Sequence, residues 1–371
     1  MKHLKHAKIE RPNVEHYARI DLGVFGASCP AIADFCSEIA AALPASNVVY
    51  VDTDHASFDN PAFSNQPSTH FTATNVQTET TTSLHGAKMD WKYTPSKINY
   101  DLALVNSNHF EARRYMLYYS EKKHASVLKR KAYLANCLAV VLAEGSELPA
   151  DLEKMLPEGC PVYSYDHRME ATTHVTPLLS EPKLKGLVLA GGRSSRMGKD
   201  KTKFNIHGKP QFEHIADLMA PHCSELFVSQ SSVHQVTTDL PTLDDAFSSL
   251  GPFGAILTAF KTDPNAAWLV MASDLPYANA DALGQLVTSR STKDLATAFY
   301  NEDTDFPDPL FTIWEPKAYP RLLEFLAMGY SCPRKALINS PIHMITPKDA
   351  KVLFNMNTPA DLAKVKGENL S

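Results

Sequence analysis

Two glycines followed by spaced cations give this sequence its clearest chemistry. In Leu189-Ala190-Gly191-Gly192-Arg193-Ser194-Ser195-Arg196-Met197-Gly198-Lys199-Asp200-Lys201 an apolar run leads into a glycine pair. Without Cβ atoms, backbone N–H groups can approach a ligand closely, and positive φ is available. Arg196 can grip phosphate oxygens through two parallel hydrogen bonds, while Lys201 supplies a compact charge able to follow a phosphoryl group. The loop therefore suits a triphosphate. It matches neither G-x-x-x-x-G-K-[ST] nor G-x-G-x-x-G, so neither fingerprint explains it. Taken alone, a solvated basic turn between a strand and a helix is the other reading.

Further oxygen donors lie downstream. Asp274, in Ser273-Asp274-Leu275-Pro276, follows an apolar run and so stands where a strand ends, at the edge of an open α/β sheet where ligands bind. A turn or helix-cap role is the alternative for such an Asp. Asp244 precedes Gly251-Pro252-Phe253-Gly254, and Asn355 and Asn357 flank Met356 ahead of Thr358-Pro359. These asparagines can bind a metal or a phosphate, or can form an Asn-Thr-Pro turn and helix cap. No Ser/His/Asp or Cys/His spacing suggests a nucleophilic triad, and His207, His214 and His222 are expected on surface turns and a helix. The cysteines, Cys29, Cys36, Cys137, Cys160, Cys223 and Cys332, form no CxxC pair and no zinc-like spacing. They read as reduced thiols of a cytoplasmic protein.

The elements that must position these groups follow from length and pattern. At 371 residues the chain exceeds one ordinary core, which rarely grows past roughly 250–300 residues, so two domains are expected. With 44% hydrophobic and 21% charged residues it is a folding, non-fibrous composition, and a net charge of −5 argues against nucleic acid or an anionic membrane as partner. The basic N-terminus has no apolar run behind it, which predicts no secretory signal, and the apolar stretch Leu134 to Ala143 is about half of the roughly 20 residues a spanning helix needs.

Short apolar runs alternate with helical spacing in both halves, the grammar of three-layer Rossmann-like α/β domains with mostly parallel sheets. Residues 1–165 form the first domain, with strands at Ile20 to Phe25, Asn47 to Val51, Leu102 to Val105 and Cys137 to Leu142. A Lys-rich helix is expected from Glu111 to Leu128. The Thr-rich stretch around Phe71 to Leu84 is open between a hairpin and irregular chain. Residues 166–183, rich in Thr and Pro, are the expected linker. Residues 184–371 restart the alternation, with strands at Gly186 to Ala190, Leu226 to Ser229 and Trp268 to Ala272, and helices near Gln211 to Met219, Gly254 to Lys261, Ala280 to Thr288 and Tyr319 to Met328.

The second half resembles the nucleotidyltransferases of Rossmann-like fold, most closely the MobA-like molybdenum cofactor guanylyltransferases. Five motifs carry the resemblance in order: the loop above, His207-Gly208-Lys209-Pro210, Asp244 with Gly251-Pro252-Phe253-Gly254-Ala255-Ile256, Ser273-Asp274-Leu275-Pro276, and Asn355-Met356-Asn357-Thr358-Pro359-Ala360-Asp361-Leu362. Gly254 is displaced by one position from the family's glycine, Ser273 replaces a usual Cys, and Phe204 follows Lys203 where small or apolar residues are commoner. The resemblance implies Mg²⁺-dependent transfer of GMP from GTP to molybdopterin, with pyrophosphate released. It implies Asp274 as the Mg²⁺ ligand, Lys201 on the α-phosphate, and Arg196 on the β- and γ-phosphates. Gly191 and Gly192 would be backbone donors, with Leu189, Ala190 and Asp244 completing the nucleotide site and Asn355 and Asn357 on the pterin or metal side. A carboxylate at Asp244 favours guanine, whose N1 and N2 both donate, over cytosine. A cytidylyltransferase, a sugar- or polyol-phosphate nucleotidyltransferase, and a non-catalytic carrier of pterin or nucleotide are the alternatives.

In the first half, Gly23 to Pro30 occupies the place of a P-loop but contains no Gly-Lys-Ser/Thr. With Tyr100 to Asn106 it resembles a degenerate MobB-like P-loop domain, and a plain docking domain for a molybdoenzyme or its chaperone is the other reading. Asp52 and Asp54 end the second run as carboxylates whose spacing names no ligand.

Overall fold

The computed structural model describes residues 18–44, 46–54, 68–75, 78–85, 100–190, 205–231 and 235–367. They fall into two compact units, Arg19–Ser180 and a second that begins at Glu181 and includes Ala18.

In the first unit, β1 (Ile20–Phe25), β2 (Val48–Asp54), β3 (Ser68–Asn75), β4 (Thr78–His85), β5 (Leu102–Asn106), β6 (Arg114–Tyr119), β7 (Cys137–Leu142) and β8 (Val162–Tyr163) build one sheet in the order β4-β3-β2-β5-β1-β6-β7-β8. All neighbours are parallel except β2 with β3 and β3 with β4, so the Thr-rich stretch is a hairpin appended to a parallel sheet. Every residue of β1 and β5 is buried, as expected for strands covered on both faces. Helix α1 (Cys29–Ala41) starts with Ser28 as N-cap, its hydroxyl accepting from the Ala31 N–H, and with Pro30 in the first turn, where a missing N–H costs nothing. Its Ile32, Phe35, Cys36 and Ile39 pack against Leu22, Val24, Leu102 and Leu104. The short helices α2 (His124–Leu128), α3 (Lys131–Leu134) and α4 (Ala150–Glu153) pack with the opposite face through Val127, Leu134 and Leu152.

Two expectations change here. The helix expected over 111–128 contains strand β6, because Arg114-Tyr115-Met116-Leu117-Tyr118-Tyr119 is a dense aromatic run that fills a buried strand position, and only its last residues turn helical. The expected linker is also shorter. Residues 165–174 and 176–179 form 3₁₀ turns, and Ala171 and Val175 are wholly buried in the core of the first unit.

In the second unit, β9 (Leu184–Leu189), β10 (Leu226–Gln230), β11 (Thr242–Asp244), β12 (Ala267–Ala272), β13 (Ala296–Asn301), β14 (Phe306–Trp314) and β15 (His343–Ile345) form a sheet in the order β11-β10-β9-β12-β14-β13-β15. Strand β14 alone runs against its neighbours. One face is covered by α5 (Gln211–Met219) and α7 (Ala280–Thr288) through Phe212, Ile215, Met219, Leu283 and Leu286. The other carries α6 (Pro252–Thr262), α8 (Ala318–Ala327) and α9 (Pro333–Ile338) through Phe253, Ile256, Phe260, Leu322 and Leu337. Each such side chain contributes about 1.5–3 kcal/mol on full burial. The chain closes with α10 (Pro359–Gly367). Both units are therefore helix–sheet–helix sandwiches with mostly parallel sheets. Among the described residues no helix is long and apolar enough to cross a membrane, and the six cysteines are free thiols.

Candidate functional site

The site is built from the order of the strands. From β9 the chain leaves through α5 towards β10, whereas from β12, its neighbour on the other side, it leaves through α7 towards β13. The two connections diverge and open a crevice at the carboxyl ends of β9 and β12, the position at which open α/β sheets bind ligands. Leu189 pairs with Ala272 in register, and the Ser273 N–H donates to the Leu189 carbonyl at 3.1 Å. The start of the glycine-rich loop and Asp274 thus stand side by side.

Three segments fix the half-buried Asp274. The Met356 N–H donates to the Asp274 carbonyl at 2.9 Å, which brings Asn355 and Asn357 to the same edge. Met356 is itself buried and packs with Ile206, Phe354 and Leu362, so the segment leading into Gly208-Lys209-Pro210 and the Asn355–Asn357 segment meet at one small apolar contact. Gln211, wholly buried at the start of α5, donates from Nε2 to the Leu275 carbonyl at 3.1 Å. His207 Nε2 lies 3.0 Å from the Pro276 carbonyl, the next in line. Two adjacent carbonyls of the turn after Asp274 are thereby held from the other side of the crevice.

His207 and His214, expected on surface turns and a helix, are both half-buried and stack at 3.8 Å between ring centroids. Burial first, then the charges of His207 and Lys209, lower His214 to about 4, so its ring is neutral near pH 7.

Asp244 sits farther along the same edge. Leu189 pairs with Ser229 on β10, and Gln230 pairs with Asp244 on β11, which places Asp244 two strands, about 10 Å, from β9. The Gln230 amide donates to Asp244 Oδ1 at 2.7 Å, and the other carboxylate oxygen has no protein donor among the described residues. The adjacent Asp245 turns inward, accepting from the Phe247 N–H at 3.0 Å and the Thr258 hydroxyl at 3.3 Å. The glycine that seemed displaced has its reason here: a Cβ on Gly254 would lie 2.4 Å from the Phe247 carbonyl, so this loop closes only over glycine.

Asn355 and Asn357 differ in setting. Asn355 is half-buried and donates to the Leu353 carbonyl at 3.4 Å, whereas Asn357 is exposed. Its N–H and that of Thr358 donate to Asp361 at 2.9 and 2.7 Å, while the Asp361 N–H donates to the Thr358 hydroxyl at 3.2 Å. This reciprocal capping box starts α10, so the turn-and-cap reading describes 357–361. The hydroxyl of Thr358, together with the two N–H groups and Lys364, holds Asp361 below the usual carboxylate range against the opposing effect of burial.

The structure thus brings Leu189, Ala190, Asp274, Asn355 and Asn357 to one crevice and sets Asp244 along its edge. Gly191, Gly192, Arg196 and Lys201 lie outside the described residues. Gln211, His207, Gln230 and Asp245 are additions. The doublet Asp244-Asp245 was a visible signal for one of them, but the other three work through carbonyls or a neighbouring carboxylate across the sheet edge, which no local spacing announces.

Residues 186–340 match the model of the MobA-like NTP transferase domain. The chain is 30% identical over 191 residues to the molybdenum cofactor guanylyltransferase of Yersinia pseudotuberculosis, a match that takes in 49% of this chain and 94% of that protein. The chain belongs to the MobA-like NTP transferase family. It is also 36% identical over 190 residues to the molybdenum cofactor biosynthesis bifunctional protein of Synechocystis sp., covering 50% of this chain and 55% of that protein, so it spans about half the length of that relative. Among solved structures it is similar to molybdopterin-guanine dinucleotide biosynthesis protein A of Archaeoglobus fulgidus, with 20% identity and a TM-score of 0.43 over 49% of this chain and 97% of that one. The resemblance read from five motifs and the family membership of this MobA-like chain agree, and both concern the second unit.

Proposed function

We propose that this MobA-like chain transfers GMP from GTP to molybdopterin, giving the guanine dinucleotide cofactor and pyrophosphate. The observation that carries the reading is the junction at Asp274. Asp274, the end of the strand that leads into the glycine-rich motif and the Asn355–Asn357 segment are joined at the sheet edge by the Ser273–Leu189 and Met356–Asp274 backbone bonds. In the reaction an oxygen of the molybdopterin phosphate forms a bond to the α-phosphorus of GTP while the bond from that phosphorus to the β-phosphate bridge oxygen breaks. A phosphate monoester is largely ionised near pH 7, so the nucleophile needs no general base. That accords with the absence of a triad spacing.

The protein's work is then alignment and charge. Gly191 and Gly192 offer backbone donors, Arg196 holds the β- and γ-phosphates, and Lys201 follows the α-phosphate as charge builds there. Leu189 and Ala190 start the wall of the nucleotide site, and Asp244 accepts from guanine N1 and N2. The donors at the junction are a carboxylate and amide oxygens, the hard oxygen set that suits Mg²⁺. Asp274 would hold that ion, with Asn355 and Asn357 beside it, and Mg²⁺ would supply neutralising charge to the phosphates. Residues 184–371 carry this activity. The first unit serves docking to a molybdoenzyme or its chaperone, on a scaffold that has lost the phosphate-gripping lysine of a P-loop.

The reading is tested by incubating purified protein with GTP, molybdopterin and Mg²⁺ and measuring dinucleotide and pyrophosphate together. Equal yields of both are expected, and their loss in Lys201→Ala. Tight binding of pterin and nucleotide without pyrophosphate release would establish a carrier instead.

A further inference from the structure

We propose that Cys29, Asp52 and His109 form a binding site for a divalent transition metal of the zinc class in the first unit. The three residues are far apart in sequence and lack zinc-like spacing, but strand order brings them together. Cys29 opens α1 just after β1, Asp52 lies in β2, and His109 follows β5, which runs between β1 and β2. From β1 the chain turns through α1 towards β2, and from β5 it passes to β6 on the far side of β1. The two connections run in opposite directions past one another, which brings their loops together at the carboxyl ends of β5 and β1, the edge at which open α/β sheets bind ligands.

Side-chain geometry fits an ion. Cys29 Sγ and His109 Nε2 are 3.2 Å apart, and one ligand atom from each of the three residues lies within 4.8 Å of the other two. A tetrahedral zinc ion bound by thiolate and imidazole would separate sulfur and nitrogen by about 3.5 Å, so a small outward shift suffices. None of the three is fully buried, which leaves a path for the ion and for a further ligand.

The surrounding groups hold these ligands in place. Asp52 accepts from the Tyr50 hydroxyl at 2.6 Å through Oδ2 and from the Asn106 amide at 2.8 Å through Oδ1. The loop carrying His109 is tied to the loop carrying Cys29 by Asn108, whose amide donates to the Ala27 carbonyl at 3.0 Å and accepts from the Gly26 N–H at 3.5 Å. Such partners around a site orient ligands and tune their affinity.

The donor set identifies the metal. One thiolate, one imidazole and one carboxylate suit borderline ions such as Zn²⁺ or Co²⁺ and not Mg²⁺, which takes oxygen. A thiolate and a carboxylate also balance the charge of a divalent ion. Three ligands among the described residues match the protein share of a zinc site whose fourth position takes a water or another ligand.

The test is a titration of full-length, reduced, chelator-stripped protein with Co²⁺ in the presence of excess Mg²⁺. A sulfur-to-cobalt charge-transfer band reports thiolate ligation alone, so Co²⁺ at an all-oxygen site does not contribute. The expected result is a band that saturates at one equivalent and is displaced by Zn²⁺. It should disappear in Cys29→Ser, persist in Cys160→Ser, and require at least about tenfold more Co²⁺ in His109→Gln. If Cys29→Ser fails to fold, as circular dichroism would show, the His109→Gln shift carries the test. No saturating band, a band retained in folded Cys29→Ser, or unchanged affinity in folded His109→Gln would overturn the proposal.

Discussion

The two sheets of this chain carry their candidate sites alike, at the carboxyl ends of adjacent parallel strands, yet they present different chemistry. In the second unit that edge carries Asp274, bonded through its carbonyl to the Asn355–Asn357 segment and beside the strand whose sequence runs on into the glycine-rich cationic motif, and the proposed reaction draws on these side chains as oxygen donors. In the first the edge carries Cys29, Asp52 and His109, and the loop after β1 contains neither lysine nor a hydroxyl in the P-loop position. Two parallel-strand edges thus carry different donors, one proposed for phosphate with a hard ion and the other for a softer ion. Fold alone would not separate them; the side chains at the strand ends do.

The strongest test of this contrast is at Asp274. Asp274→Asn keeps the shape but removes the charge, and dinucleotide formation should fall at least about 100-fold, on the order of 3 kcal/mol of transition-state stabilisation. A steady-state assay checks it, and near-normal turnover would remove the carboxylate from the mechanism. A smaller effect is expected where each edge depends on a glycine. Gly254→Ala places a Cβ 2.4 Å from the Phe247 carbonyl, so the 245–250 loop must move. We expect a loss of about 1–3 kcal/mol in urea unfolding and a raised KM for GTP, because Asp244 precedes that loop. In the first unit a Cβ on Gly23 would lie 2.1 Å from Ser107 Oγ and 2.8 Å from Tyr115 Cδ1. Gly23→Ala should cost a similar amount and weaken Co²⁺ binding by displacing the segment that leads to His109.

The stacked histidines give a pH signature. His214 is lowered to about 4 in the folded chain from an ordinary 6.5, so the unfolded state binds a proton first as pH falls. The stability associated with the neutral ring is complete above about pH 6.5 and is lost as pH drops through about 4. After solvent screening of this half-buried ring the loss should be roughly 1 kcal/mol. His214→Gln should flatten the decline in a thermal-melt series over that range, and an unchanged profile would assign the acid sensitivity elsewhere. The smallest effect belongs to the capping box: Thr358→Ala should cost about 0.5–1 kcal/mol and loosen the Asn355–Asn357 segment, measurable as faster amide exchange at Met356.

Much of the second edge was legible in the sequence because its groups belong to contiguous motifs. Asp274 ends an apolar run, and Asn355 and Asn357 precede a Thr-Pro helix start. Strand β14 was not legible, since Phe306-Pro307-Asp308-Pro309 carries two prolines where a ladder normally needs N–H donors. Strand β6 was hidden by its Lys-rich neighbourhood and 165–179 by its Thr and Pro content, although burial of Ala171 and Val175 decides that segment. Gln211 looked like an ordinary helix-start residue, and only its bond to the Leu275 carbonyl gives it a role. The cluster of Cys29, Asp52 and His109 is the clearest case: it exists because β5 inserts between β2 and β1, and strand order is not written in spacing.

The central claim is the reaction and its base. The most direct measurement gives the purified full-length chain GTP and CTP in equal amounts, with molybdopterin and Mg²⁺, and separates the dinucleotide products. The guanine dinucleotide is expected as the dominant product, with a matching amount of pyrophosphate, and a relaxed preference in Asp244→Ala. A dominant cytosine product, or no dinucleotide from either nucleotide, would contradict it.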